Sequence, residues 1–119
     1  MSQFSNEKYI NLETYRKNGQ AVQTPVWFVI IDGSIYIRTD SNSGKIKRAR
    51  NNTHVRITPC TARGKPKGEW VNGEIRIASS SESQRADHLL KQKYGLQSKI
   101  IRMYNKIRKT EPIIMSIQI

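Results

Sequence analysis

Apolar residues recur at every second position through much of this chain, a spacing that puts them on one face of a strand. In residues 9–16, YINLETYR, Ile10, Leu12 and Thr14 share a face. Lys17-Asn18-Gly19 follows as a turn, because Asn and Gly tolerate positive φ. Residues 20–31, QAVQTPVWFVII, predict one long second strand. Val22, Val26, Phe28 and Ile30 lie on one side of it, and Ala21, Trp27, Val29 and Ile31 on the other. Two apolar faces need cover on both sides, which a barrel packed on a second subunit supplies. Pro25 lacks a ladder donor and marks an edge or a bulge. Asp32-Gly33 is a hairpin dipeptide, and residues 34–39, SIYIRT, pair back with Ile35 and Ile37 inward and Tyr36 and Arg38 on the other face.

Beyond the hairpin the period changes. Asp40 to Gly44 reads as loop, and Lys45 to Asn51 as a short helix capped by Ser43. Strands are predicted at 54–60, HVRITPC, and at 69–78, EWVNGEIRIA, the latter with a bulge at Gly73. Between them residues 61–68, TARGKPKG, form a basic loop. Ser81 and Gln84 fit a capping box, Ala86, Leu89, Leu90 and Tyr94 make one helical stripe, and Gly95 closes it. A second helix is predicted at 97–109, ended by Pro112, and residues 113–119, IIMSIQI, alternate as a final strand. The order βββαββααβ describes a mainly β fold, a six-stranded, largely antiparallel barrel with short helices, in a single domain spanning 1–119.

Charge adds a preference for anions. The net charge of +12 is unevenly placed: residues 1–44 are neutral, 45–68 hold eight bases and no acid, and 82–109 hold eight bases and two acids. Nucleic acid, a membrane surface or a polyanionic small molecule all suit such a surface. No apolar run approaches the ~18–20 residues of a membrane helix. The first residues, MSQFSNEKYI, lack a signal peptide's basic start and apolar core. One cysteine, Cys60, leaves no internal disulfide framework, and its place at a strand end reads as a small buried hydrophobe. A cytoplasmic protein is the simplest expectation. His54 and His88 have no metal-ligand neighbours at useful spacing, so no metal site is expected.

The chemistry concentrates at residues 38–45. Thr39, Ser41, Ser43, Gly44 and Lys45 place hydroxyls, free backbone amides and an ammonium together where a helix begins. Free amides at a helix start bind anions, and the helix dipole adds to this. Arg38 supplies a planar fork and Lys45 a point charge. An ordinary capped loop with solvated bases is the competing account. No Ser-His-Asp set, paired carboxylate site or phosphate-binding P-loop is present, a pattern that suits cofactor chemistry.

Three stretches, YRKNGQAVQTPVWFVIIDGSIYIRT, SGKIKRARNN with HVRITPC after it, and RGKPKGEWVNGEIRI, resemble the pyridoxamine-phosphate-oxidase-like superfamily with its FMN-binding split barrel. Within it they look most like the short branch of deazaflavin (coenzyme F420)-dependent oxidoreductases. The likeness covers residues 8–78 and implies a homodimer with two cofactor sites at the subunit interface. It implies FMN or coenzyme F420 as cofactor, and hydride transfer to or from a small unsaturated substrate. Carried onto this sequence, Arg38, Thr39, Ser43 and Lys45 are similar to the phosphate-binding group, with Lys47 and Arg48 as further additions. Thr24, Pro25, Val26 and Trp27 occupy the ring-flanking stretch, and Trp70 resembles the part supplied by the other subunit. Arg63, Lys65 and Lys67 would then serve the anionic tail of a deazaflavin. The tail EPIIMSIQI lacks the basic substrate-phosphate motif of true pyridoxamine phosphate oxidases, which argues against the vitamin B6 reaction.

Two rivals stand beside this reading. A non-catalytic protein of the same fold would bind a flavin, haem or other planar ligand without turning it over. A nucleic-acid-binding barrel fits the charge, but the basic stretch 45–68 holds no Trp, Tyr or Phe on which bases stack.

Overall fold

Seven strands form one antiparallel sheet, and the two strands at its edges are neighbours in the chain. In the computed structural model the described residues are 2–40, 43–95 and 112–119. The strands are β1 (Tyr9–Tyr15), β2 (Ala21–Val26), β3 (Phe28–Ile31), β4 (Ser34–Asp40), β5 (His54–Cys60), β6 (Val71–Ile77) and β7 (Pro112–Gln118). Helix α1 (Gly44–Asn51) follows β4, and α2 (Ser80–Tyr94) follows β6. The sheet runs β2-β1-β5-β6-β7-β4-β3.

The predicted long strand at 20–31 is therefore two strands. It breaks at Trp27, and its halves lie on opposite edges: β2 pairs only with β1, and β3 only with β4. That break raises the count from six strands to seven and leaves the barrel open at one corner. Pro25, which cannot donate to a ladder, sits on an edge as its chemistry demands. Cover differs between the two halves: β3 is buried on both faces, Phe28 in the inner core and Val29 and Ile31 under α2, whereas β2 is largely open in the single chain. Ala21 and Gln23 are exposed, and only Val26 of β2 is buried.

The inner face of the sheet carries Ile10, Leu12, Phe28, Ile35, Ile37, Val55, Ile57 and Ile117, all 1% exposed or less. Each such side chain contributes about 1.5–3 kcal/mol by leaving water. Helix α1 adds Ile46 and Ala49 to this core. A second cluster forms on the outer face, where Val29, Ile31, Tyr36 and Ile114 meet Ala86, Leu90 and Tyr94 of α2.

Turns and caps follow from local chemistry. Asp32 and Gly33 both take positive φ (50° and 81°), the pair that a two-residue hairpin requires. The α2 cap lies two residues earlier than the sequence predicts. Ser79 accepts from the Glu82 amide while the Glu82 carboxylate accepts from the Ser79 amide, so the box is Ser79–Glu82 and not Ser81–Gln84. Gly95 ends the helix, its N–H donating to the Lys91 carbonyl at 2.8 Å. Gly73 is not at a bulge, since β5 and β6 pair in regular register through it. A Cβ there would lie 2.9 Å from Ile117 Cγ2 and 3.0 Å from the Gln118 carbonyl oxygen, so the glycine permits close approach. The predicted helix at 97–109 lies outside the described residues.

Candidate functional site

Where the edges fail to meet, a cleft of about 290 Å³ opens. Its walls are Tyr9, Pro25, Val26 and Trp27 on one side and Arg38, Thr39 and Asp40 on the other, with Ser43 and Lys45 from the start of α1 and Leu90 from α2. Of the residues proposed from sequence, Pro25, Val26, Trp27, Arg38, Thr39, Ser43 and Lys45 are brought together here. Thr24 and Trp70 do not line it. Thr24 is half-buried on β2 opposite Leu12, and Trp70 stacks under the Arg56 guanidinium, 5.1 Å from its ring centre. Ser41 lies outside the described residues. Sequence reasoning did not point to Tyr9, Asp40 or Leu90 as site residues; Leu90 carries a signal only as a member of the apolar stripe of α2.

Alternation along β4 explains the arrangement. Ile35, Ile37 and Thr39 face inward, and Tyr36 and Arg38 face α2. At the strand's end both faces border the cleft. Thr39 is buried, and its Oγ1 lies 2.8 Å from Ser43 Oγ. Ser43 Oγ also accepts from the Ile46 amide at 3.4 Å, capping α1. One hydrogen bond between two hydroxyls uses one of their two protons, which leaves one to donate to a ligand.

The cations differ in what they already hold. Arg38 is paired with the Asp87 carboxylate of α2, which also receives Lys91 at 3.3 Å. Arg48 Nε donates to the buried Thr14 hydroxyl at 2.7 Å, tying α1 to β1. Lys45 is half-buried and makes no hydrogen bond or ion pair with the described residues. Burial pushes its pKa below the usual value, and Arg48 pushes the same way, against a smaller pull from Asp40. An ammonium so placed is short of negative charge. Lys47 is exposed on the far side of the helix turn.

On the other wall Trp27 lies flat against Tyr94, with ring centroids 4.3 Å apart and planes 7° from parallel. The loop bases are arranged otherwise. Lys67 is tied to Glu7 at 2.8 Å, while Arg63 and Lys65 are exposed. Cys60 is buried, and burial raises its thiol pKa, which disfavours the thiolate. His54 stacks on Tyr15 at 5.9 Å, and His88 is exposed. Among the described residues no three His, Cys, Asp or Glu side chains are grouped to hold a metal, and no helix is long and apolar enough to cross a membrane.

The same architecture occurs in solved proteins. HutZ, the haem storage protein of Vibrio cholerae, superposes with a TM-score of 0.74 at 12% identity, covering 98% of this chain and 84% of that one. An FAD-binding protein of Mesorhizobium loti gives 0.68 at 17% identity, with 99% and 83% covered. An F420 reductase gives 0.61 at 12% identity, with 98% and 90% covered. The chain therefore has the split-barrel fold of the pyridoxamine-phosphate-oxidase-like proteins. At these identities the likeness is one of fold. No family model and no curated protein matches the chain.

Proposed function

We propose that this protein is an oxidoreductase that binds a phosphorylated flavin or deazaflavin, FMN or coenzyme F420, in the cleft at the open corner of its barrel. The observation that carries this reading is Lys45, a half-buried ammonium that makes no ion pair among the described residues and feels only a weak pull from Asp40, beside two hydroxyls at a helix start. A phosphate supplies the missing charge and accepts from those donors. Arg38 adds its fork when the phosphate competes with Asp87 for it. The Trp27–Tyr94 stack gives the ring a flat apolar wall.

When bound, such a cofactor supplies a ring that accepts or donates hydride. The chain's own residues hold the phosphate, fix the ring plane and keep water from one face. A cleft of about 290 Å³ is at the lower limit of the ~300–1,000 Å³ that ligand sites occupy, so a single chain leaves a three-ring cofactor partly uncovered. We infer that a second copy covers it and that the protein works as a homodimer, with Trp70 of the partner subunit closing the pocket. Purified protein titrated with FMN and with coenzyme F420, followed by tryptophan fluorescence, should bind one of them at micromolar concentration. Failure of both overturns the proposal.

A second reading is storage or sequestration of a planar ligand, flavin or haem, without turnover. It is favoured by the poverty of proton-transfer groups on the cleft. Among the described residues Asp40 is the only carboxylate lining it, and no histidine does. Turnover of the bound, reduced cofactor by any acceptor rules this out.

A further inference from the structure

A second cleft, of about 380 Å³, lies between the N-terminal turn, β3 and α2, and shares no lining residue with the first. Its floor is set by the buried Phe4 and Phe28, and its open apolar surface comes from Leu89 and from Ile30, 36% exposed on an edge strand. Gln92 and Lys93 are its polar members on α2.

Lys93 is held in place without being neutralised. Its ammonium donates to the Phe28 carbonyl at 2.8 Å and sits 3.7 Å from the centre of the Phe28 ring. That accounts for one of three N–H donors. Other lysines near it have carboxylates: Lys91 pairs with Asp87 and Lys67 with Glu7. Glu7 is close enough to be felt at Lys93, yet its carboxylate is taken by Lys67 at 2.8 Å. Desolvation of the ammonium lowers the Lys93 pKa to about 8, against a pull from Glu7, although the residue as a whole is exposed.

We propose that this cleft is a second ligand site, for a small monocarboxylate with a flat apolar body. The body lies against Leu89 and Ile30, and the carboxylate takes the unused donors of Lys93. Gln92 offers an amide donor beside it. The volume falls within the range of small-molecule sites, and Ser5, Asn6, Gln92 and Lys93 supply polar groups around its apolar surface. The cation–π contact and the Phe28 carbonyl fix the ammonium before a ligand arrives, which lowers the ordering cost of binding.

The full chain is titrated with phenylacetate and with phenylacetamide, which has the same ring and no charge, and amide chemical shifts are followed. Saturable phenylacetate binding, about ten-fold weaker for phenylacetamide, is expected. Lys93→Met keeps the apolar stem and should weaken phenylacetate by about the same factor while leaving FMN or coenzyme F420 binding as in the wild type. Lys45→Ala should bind phenylacetate normally. The proposal is overturned if both probes bind alike, if neither saturates, if Lys93→Met binds phenylacetate like the wild type, or if Lys45→Ala abolishes that binding. Should Lys93→Met fail to fold, the two probes on wild-type protein decide. Failure here leaves the cofactor reading untouched, because that rests on the other cleft.

Discussion

Trp27 and Tyr94 stack face to face, and together they fix the corner at which the barrel stays open. Trp27 is the single residue between the two edge strands. Tyr94, at the last turn of α2, accepts from the Phe28 amide at 3.0 Å and donates to the Lys8 carbonyl at 2.7 Å, with the Phe28 carbonyl 3.1 Å away. One hydroxyl thus satisfies the backbone of β3 and of the segment leading into β1. Burial raises the Tyr94 pKa, so the phenol stays protonated and able to donate. Tyr94→Phe keeps the stack and leaves the Phe28 amide and the Lys8 carbonyl short of a partner, while the Phe28 carbonyl keeps Lys93. It should cost about 1–3 kcal/mol of stability, read by denaturant unfolding, with little change in tryptophan environment.

Lys45 carries the proposed function and offers a direct test. Lys45→Ala should weaken FMN or coenzyme F420 by about 1–3 kcal/mol while leaving the unfolding midpoint nearly unchanged. An equal loss of stability and affinity assigns Lys45 to the scaffold. The pH dependence follows from the lowered pKa. Below that pKa the ammonium is charged and holds the phosphate; as pH rises through it, the charge and its share of affinity are lost. The wild-type dissociation constant should therefore rise on the alkaline side, and that rise should be absent in Lys45→Ala.

Asp87 competes with the ligand for Arg38. The Arg38–Asp87 pair links the cleft to α2, and a bound phosphate must draw the guanidinium away from the carboxylate or share it. Asp87→Asn removes that competition and should tighten the anionic cofactor about three- to ten-fold, with a steeper loss of affinity as salt is added. In an Arg38→Ala background the same substitution should do nothing to affinity.

How much of this is legible in the sequence depends on the residue. The inward rows of β1, β4 and β5 are readable because their apolar side chains alternate, although Asn11, Glu13 and Tyr36 on the other face are buried as well, and the Asp-Gly hairpin because few turns tolerate two positive φ values. Residues 38–45 and 25–27 are readable as neighbours only through a family resemblance, since nothing local says that the end of β4 lies beside Trp27. The break at Trp27 is hidden: both halves are apolar, and periodicity continues across it. The α2 cap is easily misplaced because Ser79, Ser80, Ser81 and Ser83 all offer hydroxyls, and the register is set by where Glu82 can reach back. The Arg38–Asp87 pair spans 49 residues and has no local signal.

Gly73 provides a test of packing that is independent of any ligand. It lies where β6 meets β7, and a β-carbon added there would sit 2.9 Å from Ile117 Cγ2 and 3.0 Å from the Gln118 carbonyl oxygen. The oxygen belongs to the backbone and cannot rotate away, so an added methyl must push the strands apart. Gly73→Ala should destabilise by about 1–3 kcal/mol, although alanine suits a strand's backbone better than glycine. An unchanged melting temperature would show that β7 yields freely at its end.

The buried carboxylate of Glu13 should govern acid stability. It is 2% exposed on strand β1, and its oxygens accept from Arg56 at 2.7 and 3.0 Å, from Tyr15 at 2.6 Å and from Gln23 at 2.9 Å. The Arg56 hydrogen bonds, foremost, hold its pKa at about 2 against an ordinary 4.5, with burial opposing them. A depressed carboxylate pKa contributes stability that is complete above the unfolded value and is lost as pH falls toward the folded one. The window is thus from about pH 5 down to about 2, and the contribution is about 3 kcal/mol. Glu13→Gln keeps the shape and removes the charge. Its unfolding free energy should be lower than wild type at neutral pH, and the two curves should converge as pH falls through that window. Parallel curves would place the acid sensitivity of this fold at another carboxylate, of which Glu82, bonded to Arg76 and Tyr36, is the next to test.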